Sequence, residues 1–201
     1  MIKAQTGWPG FGVLSYFDQA WQLPAEDSLD IKTRPSSGRV KIVCLCLSRM
    51  ANFDDADPLK HEPGVDFRWI PPGQHIPRDT DVIILFGTKS TLGDLAFLRQ
   101  QGWDHDIIAH ARSGGRVLGI CGGYQMLGRR VVDPVGVDGV PGEAQGLGLL
   151  NVETLMQADK KVAPVSGDCA ISTMTVLGYE IHTGRTTGED TVRPMFNFDS
   201  E

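Results

Sequence analysis

Four cysteines in a chain of 201 residues leave little sulfur to work with. Cys44, Cys46, Cys121 and Cys169 contain no Cys-x-x-Cys pair and no regular spacing, which argues against a disulfide framework and a structural zinc site. Basic residues are also in the minority: 19 Lys and Arg against 25 Asp and Glu give a formal net charge of -6. No Lys/Arg stripe with interleaved aromatics offers a footprint for nucleic acid. Long apolar runs are missing, since none approaches the roughly 20 residues that span a bilayer, and MIKAQTGWPG lacks the parts of a signal peptide. A cytoplasmic protein is expected, with no nucleic acid, no membrane and no metal among its partners. The P-loop pattern Gly-x-x-x-x-Gly-Lys-Ser/Thr is absent as well.

What the chain does have is regular punctuation. From Arg39 onward VKIVCLCL (40–47), VDFRWI (65–70), DVIILF (81–86) and RVLGI (116–120) are β-branched or aliphatic and short enough to be strands. Between them, LGDLAFLRQQ (92–101) carries Leu92, Leu95 and Leu98 at three-residue steps. DHDIIAHARSGG (104–115) ends in a glycine pair suited to a helix C-terminus. Strands alternating with helices predict an α/β fold, a doubly wound and mostly parallel sheet covered on both faces. Beyond residue 130, VVDPVGVDGVPGEAQGLGLL reads as Gly- and Pro-rich loop, LLNVETLM as a strand, and CAISTMTVLGYEIHTGRT as period-two β structure, so antiparallel additions are expected in the C-terminal part. Cys44 and Cys46, two apart in one strand, share a face and read as small core hydrophobes. Residues 1–38 differ in texture and read as a leader and linker before a domain spanning 39–201.

Cys121 stands apart from the other thiols. In LGICGGYQMLG, Leu118 to Gly128, it falls between a strand and a helix-forming run, at a turn where Gly119, Gly122 and Gly123 relieve crowding around a sharp backbone. Such an elbow lifts a sulfur above the carboxyl edge of the sheet and aims the N-terminus of the next helix at it. That partial positive charge favours the thiolate, the attacking species, and the N–H of Gly122 is left for a developing oxyanion. The bland alternative is a small residue packed beneath a glycine turn, and an isolated Gly-x-Cys-x-Gly leaves both readings open.

GICGGYQMLG resembles the nucleophile elbow of the triad-type (class I) glutamine amidotransferases, Gly-x-Cys-x-Gly-x-Gln, and is most similar to their cobyric acid synthase-like branch. FGTKSTLGDLAFLRQQGWD (86–104), GLGLLNVET (146–154) and GYEIHTGRT (178–186) resemble segments of that branch in the same order. FGVLSYFDQAWQLPAEDSLDI resembles the end of the synthetase domain that precedes it. The resemblance implies a flavodoxin-like fold and a glutaminase with Cys121 as nucleophile and the backbone of Gly87, Thr88 and Gly122 around the oxyanion. It further implies that ammonia passes to an N-terminal synthetase domain of the same enzyme. There ATP and Mg would drive amidation of a corrinoid, adenosylcobyrinic acid a,c-diamide, in cobalamin biosynthesis; no cofactor is implied in this domain itself. Gln125 either contacts substrate or braces the elbow. Lys160 either pairs with the α-carboxylate of glutamine or is a solvated lysine beside Lys161.

One part of the family pattern is missing. A cysteine amidase needs a histidine to take the thiol proton, and the pattern carries it in a Gly-Thr-Tyr-x-His-Gly segment downstream of Gly-Tyr-Glu-Ile-His. This chain reaches NFDSE first, which predicts a domain truncated at its C-terminus with little glutaminase activity of its own. His61 and His75 lie in Pro-rich loops, His105 and His110 on a helix, and all four are expected in surface or packing roles. His182 resembles a position near the site, not the base. The alternatives are cobyrinic acid a,c-diamide synthase, the glutaminase of lipid-linked peptidoglycan precursor amidation, a catalytically silent binding module, and a hydrolase acting on another substrate.

Overall fold

A computed structural model describes residues 2–9, 12, 38–159 and 161–199, so most of the expected leader lies outside the described residues. A short helix α1 (Ile2–Thr6) precedes strand β1 (Val40–Leu45), the first of the apolar runs. Strand β2 (Met50–Ala51), a single helical turn at 53–56 and helix α2 (Asp57–His61), opened by Pro58, lead into β3 (Val65–Ile70). His61 therefore ends a helix instead of lying in a loop. β4 (Val82–Leu85) runs almost directly into β5 (Gly87–Thr88). Helices α3 (Thr91–Gln100) and α4 (Trp103–Arg112) then return the chain to β6 (Arg116–Gly119).

β3, β1, β4 and β6 line up in that order and every pairing is parallel. Among these four the order is second, first, third, fourth, which is the doubly wound arrangement of a flavodoxin-like sheet. Parallel strands covered on both faces must be apolar on both sides, and two cores result. Val43, Leu45, Ile83 and Leu85 pack against Leu95, Leu98 and Trp103 on one face. Ile42, Cys44, Phe67 and Ile84 pack towards Ala56 and Leu59 on the other. Within the leucine stripe, Leu95 and Leu98 are fully buried while Leu92 is half-buried. Cys44 and Cys46 do share the second core, and burial pushes both thiols up, Cys46 to about 11. No described helix is long and apolar enough to cross a membrane.

After the sheet come α5 (Gly122–Leu127), β7 (Arg130–Asp133), β8 (Gly142–Gln145) and β9 (Val152–Leu155). The stretch expected to be loop thus contains an antiparallel pair, with Arg130 opposite Gln145 and Asp133 opposite Gly142. GEAQ has no β-branched residue, so its strand character comes from the ladder with β7 and not from its own preference. β10 (Lys161–Cys169), β11 (Thr175–His182), β12 (Arg185–Gly188) and β13 (Phe196–Phe198) complete the chain. β11, β10 and β13 form an antiparallel sheet, while β12, β9, β7 and β8 form a mixed one in which only β7 and β9 run parallel.

The turn after β7 is organised by a single buried carboxylate. Asp133 Oδ1 accepts the N–H groups of Gly136 and Val137 at 2.9 and 2.8 Å, and Oδ2 accepts that of Asp138 at 2.8 Å. Burial works to raise this carboxyl, yet the backbone donors from Asp138, Val137, Gly136 and Val135 hold it below the ordinary carboxylate range. Asp138, placed by that turn, accepts the N–H of Thr91 at 2.5 Å and so caps α3 from outside the helix.

A carboxyl held low in the folded state stabilises the protein while it is ionised. That contribution is complete above the unfolded value of 3.8 and lost as pH falls through the lowered folded value. Asp133→Asn keeps the volume but turns an amide N–H2 towards backbone donors, and should cost about 1–3 kcal/mol in urea unfolding at pH 7. The gap between parent and variant should narrow below about pH 4; a gap that does not change with pH would assign the effect to packing.

Candidate functional site

Cys121 joins β6 to α5 with φ 51° and ψ −114°, a backbone conformation that residues bearing a Cβ adopt only under constraint. The constraint comes from both sides of the turn. Ile120 N–H donates to Leu85 O at 2.9 Å, Gly123 N–H to Ile120 O at 2.9 Å, and Gln125 N–H to Cys121 O at 3.2 Å. Glycine is required because there is no room for anything else. A methyl group on Gly123 would stand 2.0 Å from Leu85 O, one on Gly119 2.5 Å from Tyr124 N, and one on Gly122 2.6 Å from Thr88 Cγ2. The folded turn leaves Cys121 exposed, whereas Cys44 is sealed in the core. Gly122, as the first residue of α5, has no helical partner for its N–H.

β5 runs beside this elbow. A methyl group on Gly87 would lie 3.5 Å from Cys121 Cβ and 4.0 Å from Sγ, which places this strand in van der Waals reach of the sulfur. Pairing with β2, with Met50 opposite Thr88 and Ala51 opposite Gly87, sets the position of the strand. The segments following β1, β4 and β6 thereby meet at the carboxyl end of the parallel sheet, where open α/β sheets form their ligand crevice.

Asp94 carries a buried carboxylate hydrogen-bonded to the strand beside the elbow, and the sequence reading missed it. Its carboxylate is fully buried and accepts Ser48 Oγ and Thr88 Oγ1, each at 2.5 Å, with Arg49 N–H at 3.2 Å from both oxygens. A signal was present: Thr91, Asp94, Leu95 and Leu98 are the buried positions of α3, so a charged residue occupies the i+3 place of an otherwise inward stripe.

Gln125 is buried and engaged at both ends. Its Oε1 accepts Thr91 Oγ1 at 3.2 Å, and its Nε2 donates to Thr183 O at 3.4 Å. That second bond brings the turn after β11 to α5, and with it His182, which is exposed. The His182 ring sets Nε2 2.8 Å from Glu180 Oε1 and Nδ1 2.9 Å from Gly184 O.

The structure thus gathers Cys121, Gly122, Gly87, Thr88 and Gln125, with the His182 turn alongside. Lys160 lies outside the described residues. The other histidines sit elsewhere. His110 Nε2 is 3.1 Å from Arg116 O, at the far end of β6 from the elbow, roughly 16 Å of extended chain away. His75 meets Asp106, His61 Nδ1 is 2.6 Å from Asp57 O, and His105 is exposed on α4. Among the described residues no group of three or more His, Cys, Asp or Glu is arranged to hold a metal ion. An accessible thiol with backbone N–H groups beside it is suited to acyl transfer.

The elbow's sensitivity to volume can be measured directly. Gly123→Ala should cost about 3 kcal/mol or more in urea unfolding, because the backbone carbonyl of Leu85 cannot retreat without breaking β4. Gly178→Ala, where an added methyl meets nothing within 4 Å, should change stability by less than about 1 kcal/mol. Equal effects would show that the close approach is not what the glycine provides.

With this geometry in hand, comparison with known proteins is specific. Residues 41–201 match the family described as the CobB/CobQ-like glutamine amidotransferase domain. The cobyric acid synthase of Hyphomonas neptunium is 60% identical over 198 residues, covering 98% of this chain and 40% of that protein. Those of Cereibacter sphaeroides and Rhodobacter capsulatus are 57% and 58% identical over 195 residues, covering 97% of this chain and 40% of theirs. The chain therefore spans about 40% of the length of these curated relatives. Among solved structures, that of PurLQS from Thermotoga maritima matches with a TM-score of 0.59 at 16% identity, over 81% of this chain and 76% of that one, a likeness of fold alone. By its match over residues 41–201, this chain belongs to the CobB/CobQ-like glutamine amidotransferase domain family.

Proposed function

We propose that this chain is the glutaminase portion of a cobyric acid synthase, releasing ammonia from glutamine for amidation of a corrinoid by an ATP-dependent portion of a longer polypeptide. The observation that carries the reading is the exposed Cys121, held at positive φ with the Gly87–Thr88 strand against it. Relatives named cobyric acid synthase, at 57–60% identity, support the choice of corrinoid over other acceptors.

In this reading the Cys121 thiolate attacks the side-chain carbonyl carbon of glutamine, forming a C–S bond. The carbonyl oxygen takes the negative charge and turns towards the N–H of Gly122 and the backbone of Gly87 and Thr88. The C–N bond breaks as the nitrogen takes up the proton that the Cys121 thiol gave up on becoming thiolate, ammonia leaves, and a glutamyl thioester remains. Water then attacks that thioester, releasing glutamate and returning sulfur. Gln125, whose amide accepts from Thr91 and donates to Thr183, serves in this reading as a brace between α3, α5 and the turn after β11.

Both nitrogens of His182 have partners, the Glu180 carboxylate and the Gly184 carbonyl, which supports a place beside the site and not the role of base. The base of the family pattern sits in a Gly-Thr-Tyr-x-His-Gly segment that this sequence does not contain. The chain by itself should therefore hydrolyse glutamine only slowly, and His182→Ala should leave that rate unchanged. Steady hydrolysis abolished by His182→Ala would make His182 the base.

Thiol selectivity tests the nucleophile. Hydrogen bonding from Ser172, side chain then backbone, and from Ile171 draws the half-buried Cys169 thiol down, so a general alkylating agent should modify Cys169 as well as Cys121. Cys44 and Cys46, raised by burial, should stay unmodified. The glutamine analogue 6-diazo-5-oxo-norleucine should modify Cys121 alone, as read by peptide mass spectrometry, and Cys121→Ser should remove the adduct. An adduct spread over Cys121 and Cys169 would overturn the reading. In the longer synthase polypeptide, Cys121→Ser should abolish amidation of adenosylcobyrinic acid a,c-diamide from glutamine and retain it from ammonium salts.

A further inference from the structure

We infer that Asp94 is a positioning residue for the oxyanion-binding backbone, acting through Thr88; this rests on the glutaminase reading. Three donors from two separate segments converge on one carboxylate: the Ser48 hydroxyl and Arg49 N–H from the segment after β1, and the Thr88 hydroxyl from β5. A carboxylate is acceptor-only, with two oxygens and about four lone-pair directions, so it alone among side chains of this size can satisfy all three donors. An amide in its place would aim its own N–H2 at a hydroxyl.

Thr88 is the link to the elbow. Its hydroxyl donates to Asp94 at 2.5 Å and accepts the N–H of Ser90 at 3.0 Å, so the side chain is fixed at both lone pair and proton. Its methyl Cγ2 lies 2.6 Å, and its backbone nitrogen 3.3 Å, from the point where a Gly122 side chain would begin. The Arg49 carbonyl accepts the Lys89 N–H at 3.0 Å, tying the two segments together once more beside the carboxylate. Asp94 touches neither Cys121 nor the space above it. What it sets is the register between the Gly87–Thr88 backbone and the Cys121–Gly122 turn, on which two N–H groups depend if they are to point at one oxygen. Stabilisation of a developing oxyanion is steep in that geometry: removal of a donor in comparable sites costs about 100- to 1000-fold in rate.

The test uses this chain with 6-diazo-5-oxo-norleucine as the probe, reading kinact and KI at Cys121, and iodoacetamide as a probe that needs no oxyanion site. Thr88→Val removes the hydroxyl and keeps the shape, Thr88→Ser keeps the hydroxyl, and Asp94→Asn removes the shared acceptor. Thr88→Val and Asp94→Asn should lower kinact about tenfold or more with KI within about threefold, while Thr88→Ser stays near the parent. The iodoacetamide rate at Cys121 should be the same in all of them. A residue that only stabilised the fold would lower the melting temperature and leave kinact per folded molecule unchanged, and that result would overturn the inference. So would equal losses in Thr88→Val and Thr88→Ser. Should Asp94→Asn fail to fold, the two Thr88 variants decide. A parent chain whose Cys121 does not react selectively with the analogue overturns the glutaminase reading itself, which is distinct from a parent that reacts and variants that match it.

Discussion

The structure turns on the approach of Gly123 to the carbonyl of Leu85, a contact that leaves no space for a Cβ. β4 and β6 are adjacent and parallel, and the chain must leave β6, reverse into α5 and pass over the end of β4 within three residues. Only a positive φ at Cys121 accomplishes that turn, and a strained residue of this kind costs about 1–3 kcal/mol. The cost is offset by the hydrogen bonds from Ile120, Gly123 and Gln125 and by burial of Met126 and Leu127 immediately beyond. Strain and exposure thus fall on the same residue, while its neighbours on either side are held by the core.

Around that turn, acidic residues perform the assembly. Asp133 shapes the loop that presents Asp138, Asp138 caps α3 at Thr91, and Thr91 holds Gln125 one turn into α5. Asp94 binds the segments after β1 and β4 into one unit. Each of these carboxylates accepts backbone N–H or hydroxyl donors, an arrangement that needs no desolvated cation and avoids the penalty of a buried ion pair. The acidic balance of the sequence, read at first as excluding polyanions, is partly a set of buried acceptors for irregular backbone at the mouth of the sheet.

How much of this was legible depends on whether the signal was local. The parallel sheet, its two long helices and the elbow at Cys121 follow from apolar runs and glycines that each report on their own neighbourhood. Strand β8 did not, because Gly142–Gln145 is a strand only in the presence of β7. His61 read as loop because Pro58 reads as a breaker, although proline is favoured in the first turn of a helix. Asp94 and Asp133 were invisible for a related reason: Asp94 joins Thr88, six residues before it, to Ser48, 46 residues before it, and Asp133 finds its partners in a Gly/Pro-rich loop. Only the position of Asp94 on the inward stripe of α3 hinted at it.

The two halves of the site differ in how firmly they are attached. Cys121, Gly122, Gly87 and Thr88 stand on β4, β6 and α5, whose side chains at Leu85 and Met126 are fully buried. The turn carrying His182 hangs on the β10–β11 hairpin, where Leu177 is 82% and Tyr179 75% exposed, and it reaches the elbow through the 3.4 Å bond from Gln125 to Thr183. Local opening follows the least buried contacts, so thermal motion should separate the hairpin from the elbow long before it disturbs the sulfur and its N–H neighbours. A nucleophile and an oxyanion site need fixed mutual geometry to within fractions of an ångström, whereas a group that admits or orients substrate tolerates movement. Under the proposed glutaminase reading, the burial around Cys121 and the Gly87–Thr88 strand is what such a fixed geometry requires.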